Sequence, residues 1–284
     1  MNTKKLFCIL LIGSCFCSVV YTQQSQNDKT KDEIIFWDYV NSMKNKTNDN
    51  LFLHTALYFL DVPYGYSTLE INEKEDLVVN LRELDCLTYI ENVIALYRTV
   101  VSDSISFDYF KKELQNIRYR SGTIEGYASR LHYMTDWIFD NEIKKYIVDK
   151  TELIGGVKLP VNLYFMSKNY EKYDHLKRDP GEVAKIKMIE ESINSREHYY
   201  IPKEQIPTIE KNINTGDIVC FTTKIGGLDV SHVGIAVWQE EVLTFIHAST
   251  KYKKIVVDPE SLYDYCMNNR NITGIMVLKL AESK

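Results

Sequence analysis

No short motif in this sequence declares its chemistry by itself. GxSxG, GxxxxGK[ST], HExxH and GxGxxG are all missing, so the nucleophile-elbow, P-loop, zincin and dinucleotide readings have no support. No CxxC spacing occurs either, which leaves a structural zinc site without its usual thiolates. There is no long block of like charges, and a formal net charge of −5 provides no electrostatic footprint for nucleic acid. Beyond Tyr21 no apolar run is long enough to span a bilayer, and neither an internal repeat nor a low-complexity tract is present.

What is present is a chain of 284 residues, 45% apolar and 26% charged, with length enough for a substantial core. Its 20 tyrosines are an excess that half-buried strand and helix positions account for. The start, Met1-Asn2-Thr3-Lys4-Lys5, is basic, and the run from Leu6 to Tyr21 carries no charge. This pattern predicts a secretory signal over residues 1–22, and hence an exported protein, periplasmic or anchored as a lipoprotein. Ile12-Gly13-Ser14-Cys15 resembles a lipobox, so contact with the membrane is expected only through a lipid on Cys15. Removing the segment takes Cys8, Cys15 and Cys17 from the six cysteines and leaves Cys86, Cys220 and Cys266. An odd number cannot all pair, which points to a free thiol or to a fold without disulfides. Residues 23–31 read as a mobile leader, and 32–284 as one catalytic domain with helical decorations.

Ile34, Ile35, Tyr39, Val40 and Met43 predict a helix after Asp32, and an apolar stretch from Leu51 to Leu60 stops at Val62-Pro63-Tyr64-Gly65. The alternation from Ser67 to Leu81 predicts two short strands around a turn at Asn72 to Asp76. From Cys86 to Val101, Ile90, Val93, Ile94, Tyr97 and Val100 share one helical face, with Asp85 placed as N-cap. Further helices are expected over Phe107 to Tyr119 and Gly181 to Arg196, separated by an aromatic, turn-rich middle around Gly155-Gly156 and Pro160. Strands follow over Asp217 to Thr223, Ser231 to Trp238, Val242 to Thr250, Lys254 to Asp258 and Ile272 to Leu280, with a helix at Ser261 to Met267. Short connections make these an antiparallel meander, and the class α+β with the Cys86 helix packed on the C-terminal sheet.

A thiol in the first turn of a helix is stabilised as thiolate by unpaired N–H groups and the helix dipole, which is how Cys86 becomes a nucleophile. Taken alone it is equally a small buried hydrophobe. Cys220, mid-strand, and Cys266, mid-helix, lack that setting. A cysteine nucleophile needs a histidine base held by a third polar group. His232 and His247 stand in strands whose neighbours are small or apolar, where each alone reads as a satisfied core histidine. Together they suggest more. A two-residue turn at Glu240-Glu241 pairs residues whose numbers sum to about 481 by strand geometry, so His247 becomes the diagonal neighbour of His232 on one face. His247 then orients His232 while the other ring nitrogen of His232 meets the thiol. Asp229 and Asp217 are rival orienters, though each sits in a Gly-containing loop where a turn role competes. Arg130, among Tyr127, Ser129, Tyr133 and Trp137, is a candidate clamp for a substrate carboxylate, against the alternative of an exposed arginine stacked on aromatics. His132, His54, His175 and His198 have no readable partner.

Asp85-Cys86, Ser231-His232-Val233-Gly234-Ile235 and His247-Ala248-Ser249 resemble the NlpC-type cell-wall hydrolases. Leu84 to Glu91, Gly126 to Asn141, Gly155-Gly156, Phe165-Met166-Ser167, Gly216-Asp217-Ile218 and Gly227 to Ile235 resemble their muramoyl-alanine amidase-like branch. The resemblance implies a papain-like fold with the nucleophile helix on the sheet, a Cys86–His232–His247 triad, and hydrolysis of the N-acetylmuramic acid–L-alanine amide in muropeptides. It implies no metal and no cofactor. Asp85, Tyr127, Ser129, Arg130 and Asp229 are the expected substrate contacts. Where NlpC-type endopeptidases carry Asp-Cys-Ser, this chain has Asp85-Cys86-Leu87, which weakens the alternative of a γ-D-glutamyl endopeptidase. An inactive muropeptide-binding descendant is the third reading, against which the intact triad counts.

Overall fold

In the computed structural model, which describes residues 31–47 and 50–281, the C-terminal apolar runs and several short earlier ones assemble into one sheet. The expected signal, Cys15 and the leader up to residue 30 lie outside the described residues. The strands are β1 (Ile147–Asp149), β2 (Val157–Lys158), β3 (Tyr199–Pro202), β4 (Ile218–Thr223), β5 (Val230–Gln239), β6 (Val242–Ser249), β7 (Lys254–Val257) and β8 (Ile272–Leu280). Their order is β2-β3-β8-β4-β5-β6-β7, with β1 also on β8, and the pairs are antiparallel.

Both faces of this sheet are covered, which is why its central strands are near-continuous apolar runs. Ile218, Cys220, Val233, Ile235, Ile246, Ala248, Met276 and Leu278 join the helical core. Val219, Phe221, Ala236, Phe245, Ile275 and Val277 point into a second core on the other side. The helical layer holds α1 (31–43), α2 (Leu51–Tyr58), α3 (Cys86–Val100), α4 (Phe107–Arg118) and α5 (Met134–Ile143). Short helices α6 (Phe165–Lys168) and α7 (Asp174–Arg178) lead to α8 (Pro180–Asn194), and α9 (Ile206–Ile209) and α10 (Leu262–Asn268) cover the second face.

α3 sets the position of Cys86. Its start is fixed by a capping box: Asp85 Oδ1 accepts from the Thr88 N–H at 2.8 Å, and Thr88 Oγ1 accepts from the Asp85 N–H at 2.9 Å. Tyr89, Ile90, Val93, Ile94 and Leu96 are fully buried against the neighbouring elements. A buried ion pair ties α3 to α4, Arg118 Nε to Glu91 Oε2 at 2.7 Å, and Arg118 also donates to the Val78 carbonyl at 2.6 Å.

Three expectations are corrected. No strand forms between Ser67 and Leu81. That segment satisfies its backbone with side chains instead: the Leu81 N–H on Asp32, the Val78 carbonyl on Arg118 and the Asp76 carbonyl on Tyr119. The turn-rich middle contains α5, whose apolar periodicity is erased because polar residues on it are buried and matched. Asp136 pairs with Arg120 and Arg196, and Asn141 donates to the Ile117 carbonyl. Finally, the meander holds only from β4 to β7. α10 packs across the second face and returns the chain beyond β4, so β8 pairs with β4, β3 and β1.

Candidate active site

Cys86 is the first residue of α3 and is half-buried. The registered pairs of β5 with β6 end at Ile235↔Ile246, and the backbone of Val233, further toward that open end, hydrogen-bonds the sulfur. Backbone hydrogen bonds from Leu87 and Cys86 itself favour the thiolate in the same way. Burial dominates nonetheless. Together with the neighbouring Asp85 charge it pushes the Cys86 thiol up to about 12. The thiolate expected from the helix start is therefore not the resting form. Tyr64 lies close by on the segment Val62-Pro63-Tyr64-Gly65. Burial, with the nearby Asp85 charge, pushes its hydroxyl up, so it remains protonated.

The register of β5 and β6 is the expected one. Ile235↔Ile246 through Gln239↔Val242 close on the turn Glu240-Glu241, where Glu240 adopts φ 53°. His232 Nε2 lies 2.6 Å from His247 Nδ1, with the rings edge-on at 84°. Gly234 leaves room for the second ring: a Cβ there would sit 2.7 Å from the Phe245 ring and 3.3 Å from His247 Cβ. The chain of contacts then goes one residue beyond the expected set, because His247 Nε2 lies 3.0 Å from Asp258 Oδ2.

These contacts fix the proton positions. Burial is the largest influence and raises the Asp258 pKa, but the hydrogen bonds with His247 and the Glu260 N–H, with the nearby His247 and Lys251, together outweigh it and hold the carboxyl below its ordinary value, so it is ionised and can only accept. His247 Nε2 is then the donor, leaving its Nδ1 to accept from His232 Nε2–H. His232 Nδ1 is left as the basic nitrogen. Burial, reinforced by His247 and partly opposed by Asp258, lowers the His232 pKa to about 3, so its resting form is a neutral base.

Neither rival carboxylate reaches the histidines. Asp229 accepts from the Thr135 N–H at 2.7 Å and the Thr135 hydroxyl at 2.8 Å, and Asp217 pairs with Lys150 at 2.5 Å. Asp258 was readable by the rule that found His247. His247 faces Val256 across β6 and β7, so Asp258, two residues on, is its diagonal neighbour on the same face. Tyr265 of α10, within 6.4 Å of the His232 ring and 5.9 Å of the His247 ring by centroids, was equally unmarked by its helical setting.

The expected substrate contacts fall into two groups. Asp85 adjoins Cys86 but its carboxylate serves the helix cap. Tyr127, Ser129 and Arg130 belong to a separate cluster. The Tyr127 ring is stacked on His175 at 4.7 Å and lies 4.5 Å from His132, and Ser129 Oγ donates to the Gly126 carbonyl at 2.7 Å. Arg130 is buried rather than exposed, over the Tyr127 ring at 4.8 Å, with its charge met by Glu70 at 2.6 Å and Glu75 at 3.3 Å. Among the described residues, no group of three or more His, Cys, Asp or Glu side chains is arranged to hold a metal ion.

No curated protein matches the chain. Among solved structures, the chain is similar to an N-acetylmuramoyl-L-alanine amidase from Bacteroides uniformis, with 39% identity over 81% of this chain and 98% of that one, at a TM-score of 0.78. A Legionella pneumophila protein of the DUF1460 family model, 20% identical over 92% of this chain and 98% of that one, shares the fold at a TM-score of 0.69. Residues 54–275 match the AmiA-like family model, N-acetylmuramoyl-L-alanine amidase-like, and the chain belongs to that family.

Proposed function

We propose that this protein is a cysteine amidase of the NlpC-type, papain-like class that hydrolyses the amide between N-acetylmuramic acid and L-alanine in peptidoglycan fragments. The observation that carries this reading is the hydrogen-bonded line Asp258–His247–His232, which ends on β5 one residue from Val233, whose backbone hydrogen-bonds the Cys86 sulfur. A core histidine satisfied for packing alone would not need two polar partners in series ending on an open basic nitrogen.

In the resting site the thiol and the imidazole are both neutral, so proton transfer accompanies attack. Cys86 Sγ bonds to the amide carbonyl carbon as His232 Nδ1 takes the thiol proton. The imidazolium forms only at this point, where His247 and the Asp258 carboxylate stabilise it. The carbonyl oxygen gains negative charge and is met by the Cys86 N–H at the unpaired start of α3. Collapse breaks the C–N bond, His232 returns its proton to the departing amine, and a thioester remains. Water then gives its proton to His232 and its oxygen to the acyl carbon, releasing the acid and restoring the thiol.

Export as a periplasmic or lipid-anchored protein, read from residues 1–22, is part of the same proposal and places the enzyme with its substrate. The experiment is to incubate the purified protein with a muropeptide of known structure and weigh the products. Free N-acetylmuramic acid and an L-alanyl peptide are expected. A product retaining the sugar joined to alanine, with a shortened peptide, would instead establish an endopeptidase.

A further inference from the structure

Resting on the amidase reading, we propose that the polar cavity beside His232 is the subsite for the departing peptide, and that Arg270 recognises a carboxylate on it. The cavity has a volume of about 370 Å³; His232, His247 and Asp258 line it together with Lys251, Tyr265 and Arg270. In the mechanism above His232 protonates the leaving amine, so the leaving group belongs on the His232 side.

The two halves of the substrate differ in charge in a way the cavity can read. The muramoyl half has its one carboxyl group engaged in the scissile amide and brings no anion. The peptide half brings at least its C-terminal carboxylate. A cation waiting on the leaving side therefore has a chemical counterpart, and on the acyl side it would have none.

Two carboxylates also line the cavity, but both are committed. Asp258 holds His247 at 3.0 Å. Glu260 accepts from the Asn268 amide at 2.7 Å and has Lys251 at 3.8 Å. Arg270, exposed between α10 and β8, has no ion-pair partner among the described residues. Its guanidinium presents paired donors suited to a carboxylate. The loop that carries it is anchored at both sides. Lys203 Nζ donates to the carbonyls of Cys266 and Asn269, and the Asn271 carbonyl accepts from Lys224 N–H at 3.0 Å. The Tyr265 hydroxyl, kept protonated by burial and by the nearby Asp258 charge, adds a neutral donor to the same wall.

The test compares N-acetylmuramoyl-L-alanyl-D-glutamate, both glutamyl carboxylates free, with the same compound as its dicarboxamide. The protein is expected to favour the carboxylate form about tenfold in kcat/KM, mainly through KM, since a charge-assisted contact at a partly exposed site is of that size. Arg270→Gln should erase the preference, and Arg270→Lys should keep part of it. Equal turnover of the two compounds by the unaltered protein, or a preference that survives Arg270→Gln, overturns the proposal while leaving the amidase reading intact. If neither compound is cleaved, the amidase reading fails and the cavity is judged by calorimetry with L-alanyl-D-glutamate. Binding that weakens about tenfold in Arg270→Gln supports the subsite, and binding that does not weaken rejects it.

Discussion

Cys86→Ala should lower hydrolysis of a muropeptide by about four orders of magnitude or more, because the variant has no atom that can hold the acyl group. The fold should survive. Cys86 is half-buried, and its α3 start is held by Asp85 and Thr88, neither of which needs the sulfur. Circular dichroism and a thermal melt are the check on that point. Cys220→Ala and Cys266→Ala should retain activity while each loses about 1 kcal/mol of stability, because both thiols are fully buried among apolar neighbours. Full activity in Cys86→Ala, or loss of activity confined to Cys220→Ala, would remove the cysteine mechanism as drawn.

His232→Ala should cost about 10³- to 10⁴-fold in kcat, the span of a lost general acid and base. His247→Ala should cost less, about 10- to 100-fold, because it removes orientation and charge stabilisation but leaves the basic nitrogen in place. The proton assignment makes a finer claim. His247 uses its Nδ1 as an acceptor, so His247→Gln or His247→Asn, each with a carbonyl oxygen, should recover part of the loss. Asp258→Asn removes the charge that fixes the His247 tautomer and should fall between unaltered protein and His247→Ala. Rescue is the informative readout, since a merely structural role for His247 gives no reason for an acceptor to restore rate. The pH profile adds a second one. With the His232 pKa depressed to about 3, kcat/KM should not fall as pH drops through the ordinary histidine value of 6.5. A protonation limb centred near 6.5 would contradict the neutral, buried His232.

Much of this site is local, and the local part was legible. The α3 start follows from Asp85 and the apolar spacing behind Cys86. The meeting of His232 with His247 follows from one turn length, because strand parity leaves a single choice of face once Glu240-Glu241 is a two-residue turn. Asp258 was legible in principle, one strand further along the same face, but its position at the end of a short strand carries no chemical mark. What could not be read is whatever depends on distant chain. The height of the Cys86 pKa comes from burial, which outweighs the backbone hydrogen bonds from Val233, Leu87 and Cys86 that favour the thiolate, and this reverses the helix-start argument made from neighbours alone. α5 hides its period because its buried Asp136 is matched by Arg120 and Arg196, arginines on either side of it in sequence. Arg130 is buried for the same kind of reason, its partners Glu70 and Glu75 lying in the segment that was expected to form strands.

The central claim is that Cys86 carries the muramoyl half of the substrate during turnover. Acid quenching of the protein during turnover of a defined muropeptide, followed by proteolysis and mass spectrometry, measures this directly. The account predicts an N-acetylmuramoyl group as a thioester on the peptide containing Cys86; a peptidyl group on Cys86, or an acyl group on any other residue, would contradict it.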